Sequence, residues 1–194
     1  MAIHPKGGEL PATARAVLGI LSFGEEMTGY DVKRWADQSL AFFYWAPSQS
    51  QIYSELRRLE EAGLAISRVE QTHEAKARRL YAITDAGQTA MAEWADDPVL
   101  EPVVLKNPAV LRLWAAHNGD RRRLVAMLAD HRDESRRRAE KAAAHGRRAQ
   151  EVPAWHYAAL SCEWSAKYWN DEADRIEWMR QRLLCELEEE AGGV

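Results

Sequence analysis

Apolar positions recur with two different periods in the first half of this chain. Ile52, Leu56 and Leu59 are spaced i, i+4, i+7, which makes one stripe of a helix over residues 47–63. Ser48 with Gln51 forms a capping-box pattern at its start, and Gly63 stands where a left-handed cap would end it. Upstream, residues 14–23 make a short, mostly apolar helix. Thr28 with Asp31 is a second capping box, opening a helix through Trp35 to Gln38. After Gly63 the period drops to two. Residues 64–72 and 78–83 read as the strands of a hairpin, joined by a polar loop at 73–77. Thr84 and Asp85 then cap a fourth helix. Three helices, a hairpin and a helix make a winged helix-turn-helix, with residues 47–62 in the recognition position.

The face of that helix opposite the apolar stripe carries Ser50, Ser54, Arg57 and Arg58, with Gln49 and Tyr53 on its flank. Short hydrogen-bonding groups at the N-terminal turn, followed by cations, suit a helix that enters a DNA major groove by its N-terminus. An ordinary amphipathic surface helix shares this pattern, and it is the neighbouring elements that favour DNA. Ser48, Gln49, Ser50 and Ser54 are assigned to bases or their surroundings. Tyr30, Lys33, Tyr53, Arg57, Arg78 and Arg79 are assigned to phosphates, the last two from the wing in or beside the minor groove.

In the second half, Pro98, Pro102 and Asn107-Pro108 punctuate the chain. They divide it into residues 1–97, the winged helix, and 98–194, a helical domain. Three helices are expected there: residues 109–118, a long one capped by Asp120 and running to about 148, and a longer one from Pro153 to 190. The fold class is therefore mostly α with a small two-stranded β wing. The last helix carries a heptad seam at Trp155, Ala159, Cys162, Ala166, Trp169, Ala173, Ile176, Arg180, Leu183 and Leu187. All but Arg180 are assigned to the interface of a homodimer, since two half-sites need two recognition helices. A bundle within one chain is the competing arrangement for this seam. The middle helix is dense in arginine and the last in carboxylates. Their packing against each other, within a subunit or across a dimer, follows from charge. Leu160, Trp164 and Tyr168 form a second stripe beside the seam. Trp94, Trp164, Tyr168 and Trp169 are assigned to a pocket for a flat aromatic or phenolic effector, although such stripes also serve simply as core.

Composition constrains the partners. The 194 residues are 46% hydrophobic and carry a net charge of −4, so a nucleic-acid surface has to be local rather than global. No apolar run approaches a membrane span, and two cysteines make no disulfide framework. A soluble cytoplasmic protein with no membrane partner is expected. No cofactor is expected, nor a metal: His131 beside Asp130 and Glu134 lacks a second His or Cys at ligand spacing. No acid, base and nucleophile fall into a catalytic pattern, so the chain is not expected to be an enzyme.

Three stretches, VLGILSFGEEMTGYDVKRW, APSQSQIYSELRRLEEAGL and RRLYAITDAGQTAMAEW, resemble the PadR family of bacterial transcriptional regulators. The second half resembles the longer members, which carry a Vir-like helical C-terminal domain. Ser50 and Ser54 depart from the family, where Gly and Pro are common at those positions. The resemblance implies a homodimeric repressor of double-stranded operator DNA, with some relatives taking phenolic compounds at aromatic residues of the dimer interface. A helical interaction module whose winged helix binds protein instead of DNA is the alternative, supported by the negative charge.

Overall fold

A computed structural model describes residues 10–72 and 75–192. The chain divides into two compact units, the first ending at Leu100 and the second beginning at Glu101. In the first unit, α1 (Ala12–Leu21), α2 (Gly29–Gln38) and α3 (Gln49–Glu61) surround one core. Ile52, Leu56 and Leu59 of α3 are fully buried beside Val17, Leu18 and Leu21 of α1 and Val32 and Ala36 of α2. Burying each such aliphatic side chain is worth about 1.5–3 kcal/mol, so this stripe fixes how α3 is rotated. Both expected capping boxes form, Thr28 with Asp31 and Ser48 with Gln51. Gly63 takes φ +71, where a Cβ would be strained, and its N–H and that of Leu64 close the end of α3 on the carbonyls of Glu60 and Leu59.

The wing is β2 (Ala65–Thr72) paired antiparallel with β3 (Ala75–Ile83). Pairing extends to Thr72 opposite Ala75, so Ala75–Ala77 belong to the strand and not to the expected loop; residues 73 and 74 of that loop lie outside the described residues. The sequence pattern missed a third strand, β1 (Met27–Thr28), which pairs with Tyr81 and Leu80 in the order β1-β3-β2. It is only two residues long, too short for an alternating signal. It nonetheless joins the start of α2 to the wing. Thr84 caps α4 (Asp85–Asp96) by accepting from the Gly87 N–H.

In the second unit, α5 (Pro108–Trp114) is capped by Asn107, whose Oδ1 accepts from the N–H groups of Ala109 and Val110. The helix is shorter than expected, and Ala116–Asn118 forms a separate 3-10 turn. Capped by Asp120, α6 (Arg121–Gln150) runs antiparallel to α7 (His156–Gly192). Ser135, Ala139, Ala142, Gly146 and Ala149 of α6 are buried at steps of four and three. They meet the seam of α7, where Ala159, Cys162, Ala173 and Ile176 are buried as well. Small residues on both helices allow close approach. A Cβ on Gly146 would lie 3.2 Å from the Cys162 Cβ and 3.5 Å from the Ala159 carbonyl oxygen.

A leucine at position 146 should therefore be refused. Gly146→Leu is expected to destabilise the second unit by about 1–3 kcal/mol, as overpacking does. Thermal unfolding followed by circular dichroism checks this, and an unchanged transition would contradict the close approach.

Candidate nucleic-acid interface

Because α3 commits one face to the core, its other face is open. Ser48, Ser50, Tyr53, Ser54, Arg57 and Arg58 are exposed, whereas Gln49 is half-buried. Ser50 Oγ lies 3.0 Å from Ser48 Oγ. Gln49 turns inward, its Nε2 donating to the Gly29 carbonyl at 3.1 Å. The Tyr53 ring lies over the same glycine, so that a Cβ there would come within 2.4 Å of the ring. Tyr30, on the first turn of α2, is exposed. The structure thus gathers the assigned residues of α2 and α3 at one end of the first unit's helical pair, and it gives Gln49 an internal partner that its spacing does not reveal.

The cations of this surface are mostly paired internally. Lys33 bonds Asp37, and Arg34 lies 3.1 Å from Asp31. Arg58 sits 3.1 Å from the buried Glu55 carboxylate. On one face of the wing Glu26, Arg68, Glu70 and Arg78 alternate in charge, with Arg78 donating to Glu70 at 2.9 Å. Arg68 grips Glu26 through two nitrogens, and this hydrogen bonding holds the Glu26 carboxyl below its usual range. On the other face Arg79 is 3.7 Å from Glu60 of α3, which also accepts from Ser67 at 2.6 Å. Arg57 makes no ion pair among the described residues. Sequence reasoning overlooked Arg68 and Glu26. Their partnership spans 42 positions and depends on β1, which had not been foreseen.

Part of the heptad seam has neighbours within the second unit. Of the residues assigned to a dimer, Ala159 and Cys162 lie against Gly146 of α6, Ile176 and Leu183 pack with Leu124 and Leu128, and the Arg138 guanidinium lies over the Trp169 ring. Ion pairs follow the same course. Arg132 bonds Glu177 at 2.8 Å, Arg136 bonds Asn170 and Asp174, and Arg121 bonds Glu190. The small-residue seam of α6 complements the small residues of α7. Arg180 pairs with Glu177 on its own helix at 2.9 Å. His131 lies 3.4 Å from Glu172, away from the Asp130 and Glu134 pairing considered for a metal. Glu172 is buried and also accepts from Asn107 Nδ2 at 2.6 Å, tying the cap of α5 to α7. Burial pushes the Cys162 thiol up.

Of the aromatic residues assigned to an effector, Trp164 and Tyr168 stack at 5.3 Å and Tyr168 meets Trp169 edge-on at 5.4 Å. The Arg138 guanidinium lies 4.7 Å over the Trp169 ring. Trp94 belongs to the first unit, where the Arg15 guanidinium lies 5.8 Å from its ring centre. Among the described residues no helix is long and apolar enough to cross a membrane.

A family model, the transcriptional regulator PadR-like family, matches residues 17–93, which run from α1 through the wing into α4. The chain carries a PadR-like domain. The negative transcriptional regulator PadR of Bacillus subtilis (strain 168) is 29% identical over 99 residues, 51% of this chain and 53% of that protein. The match thus spans about half the length of that relative. A crystal structure of Bacillus subtilis PadR in complex with operator DNA superposes with a TM-score of 0.76 at 18% identity, covering 90% of this chain and 99% of the other. One of the same protein with p-coumaric acid gives 0.65 at 17%, covering 90% and 98%. At these identities the likeness is one of fold. The helical region after the PadR-like domain fits a Vir-like extension.

The charge pairing between α6 and α7 has a pH signature. Hydrogen bonds from Arg180, then Gln181 and Arg132, hold the Glu177 carboxyl well below the usual carboxylate range. Such a group contributes stability above its unfolded value, about 4.3, and loses it as pH falls through the lower folded value. The thermal unfolding midpoint is therefore expected to fall on acidification below about pH 4.3, and Glu177→Gln to flatten that dependence. An acid slope identical in the variant would contradict it.

Proposed function

We propose that this protein is a sequence-specific, ligand-responsive transcriptional repressor that binds double-stranded operator DNA as a homodimer. One observation carries the proposal. In a PadR-like domain, the N-terminal half of α3 leaves Ser50, Ser54 and Arg57 exposed, with none of them packed into the core. Ser48, Ser50 and Ser54 would face base edges, and Arg57, Tyr30 and Tyr53 the phosphates. The wing arginines would exchange their carboxylate partners for phosphate on binding. Exposed ion pairs are worth about 0–1 kcal/mol each, so such an exchange is inexpensive. The fold neighbour bound to operator DNA supports this reading by likeness of fold.

The dimer would use the side of α7 turned away from α6, where Tyr157, Leu160 and Trp164 are exposed, together with Leu111 and Trp114 of α5. Trp114 is 79% exposed, and large apolar side chains left open on α5 and α7 support an interaction site there. Trp164, Tyr168 and Trp169 would offer stacking surface to a flat aromatic effector. The p-coumaric acid complex of the fold neighbour names one compound to try. Such a compound changes DNA affinity only by binding two arrangements of the dimer unequally. The paired wing cations favour the alternative, a winged helix that binds protein.

A gel shift on the DNA flanking the protein's own reading frame, across a salt series, separates the two. Sequence-selective binding that weakens steeply with salt is expected. No preference at low salt would support the protein-binding alternative. Glu60→Gln with Glu70→Gln should raise affinity for random duplex by about 2- to 10-fold by freeing Arg79 and Arg78; unchanged affinity would mean these arginines do not reach DNA. For the dimer, Leu111→Asp with Trp114→Asp should give a monomer in sedimentation equilibrium. A variant still dimeric would place the interface elsewhere.

A further inference from the structure

Gly29 is held from two directions by one turn of α3. Gln49 Nε2 donates to its carbonyl at 3.1 Å, and the Tyr53 ring covers its α-carbon, leaving no room for a Cβ. Gln49 and Tyr53 are i and i+4, on one side of the helix. The residue before Gly29, Thr28, caps α2 and pairs with Leu80 of the wing. Around Gly29 the N-terminus of α2, the first turn of α3 and the wing therefore meet. The core that these elements share lies deeper, at Ile52, Leu56 and Leu59.

We propose that Gln49 and Tyr53 form a latch on Gly29 that sets the angle of the recognition helix, so that Gln49 is a positioning residue and base reading falls to Ser48, Ser50 and Ser54. Gln49 has a single amide NH2, and it is directed to the Gly29 carbonyl. One of its two N–H bonds stays free, but the bond to Gly29 turns the amide nitrogen inward, away from the outward pose that a bidentate contact to adenine needs. Ser54 is exposed and makes no hydrogen bond among the described residues, and Ser50 shares only the exposed Ser48 hydroxyl. The inference rests on the DNA-binding reading for its reading residues, whereas the latch itself is a property of the free protein.

Two measurements on the full chain test it separately. The first is amide hydrogen exchange without DNA. Gln49→Ala and Tyr53→Ala should speed exchange in residues 28–31 and 50–53 and leave α6 unchanged, while Tyr53→Phe, which keeps the ring, should match the wild type. Unchanged exchange in both alanine variants would overturn the latch. The second is selection from a randomised duplex library. Gln49→Ala should select the same bases as the wild type with affinity about 2- to 10-fold lower throughout, the scale of one lost hydrogen bond. Ser50→Ala or Ser54→Ala should change the bases selected. A changed base preference in Gln49→Ala would make it a reading residue and overturn the proposal. If the wild type itself enriches no sequence, the DNA-binding reading fails, and the exchange result still decides the latch.

Discussion

The arrangement of the first unit depends on how α3 is seated. Ile52, Leu56 and Leu59 cannot leave the core without exposing three aliphatic side chains, a cost of several kcal/mol by about 1.5–3 kcal/mol each. That burial fixes the helix's rotation, and the rotation decides which side chains meet solvent. Everything polar at the N-terminal end follows from it: the Ser48 cap, the open Ser50 and Ser54, and the inward turn of Gln49. The caps matter for the same reason. Capping boxes at Thr28 and Ser48 fix where α2 and α3 begin, and a shift of one residue would rotate the polar face by about 100°.

Charge works against this surface at long range and with it at short range. The chain is acidic overall, and nearly every cation near α3 has a carboxylate on its own fold. Pairs such as Arg78 with Glu70 are half-exposed and weak. They lower the field that any passing polyanion meets, yet they yield to a ligand that offers several correctly spaced phosphates. In the proposed role such a surface discriminates by geometry, with little attraction for duplex in general. The same economy of charge appears in the second unit, where Arg121, Arg132 and Arg136 of α6 meet Glu190, Glu177 and Asp174 of α7.

What could be read from the sequence was local. Capping boxes, the Gly63 turn and the alternating wing strands each announce themselves within a few residues, and all form, the second wing strand starting three residues earlier than its spacing put it. What could not be read required knowing which elements meet. Two-residue β1 has no period of its own, so the Glu26–Arg68 pair and the joining of α2 to the wing were invisible. The heptad on α7 was plain, but its partner was not. Only the small residues Ser135, Ala139, Ala142 and Gly146, seen as a second seam, let α6 approach it closely. Gln49 was assigned to bases because helical spacing places it on the flank of the polar face, and that spacing does not show its bond to Gly29. Its direction is set by a glycine 20 positions away.

The central claim is that the exposed N-terminal half of α3, and not the arginine-rich α6, meets DNA. Site-specific photo-crosslinking tests this most directly, with a photoreactive side chain placed at Ser54 in one protein and at Arg137 in another. Each is irradiated with a duplex selected by the wild type. The account predicts crosslinks to bases from position 54 and none from position 137. Crosslinks from position 137 alone would contradict it and would move the nucleic-acid surface to the second unit.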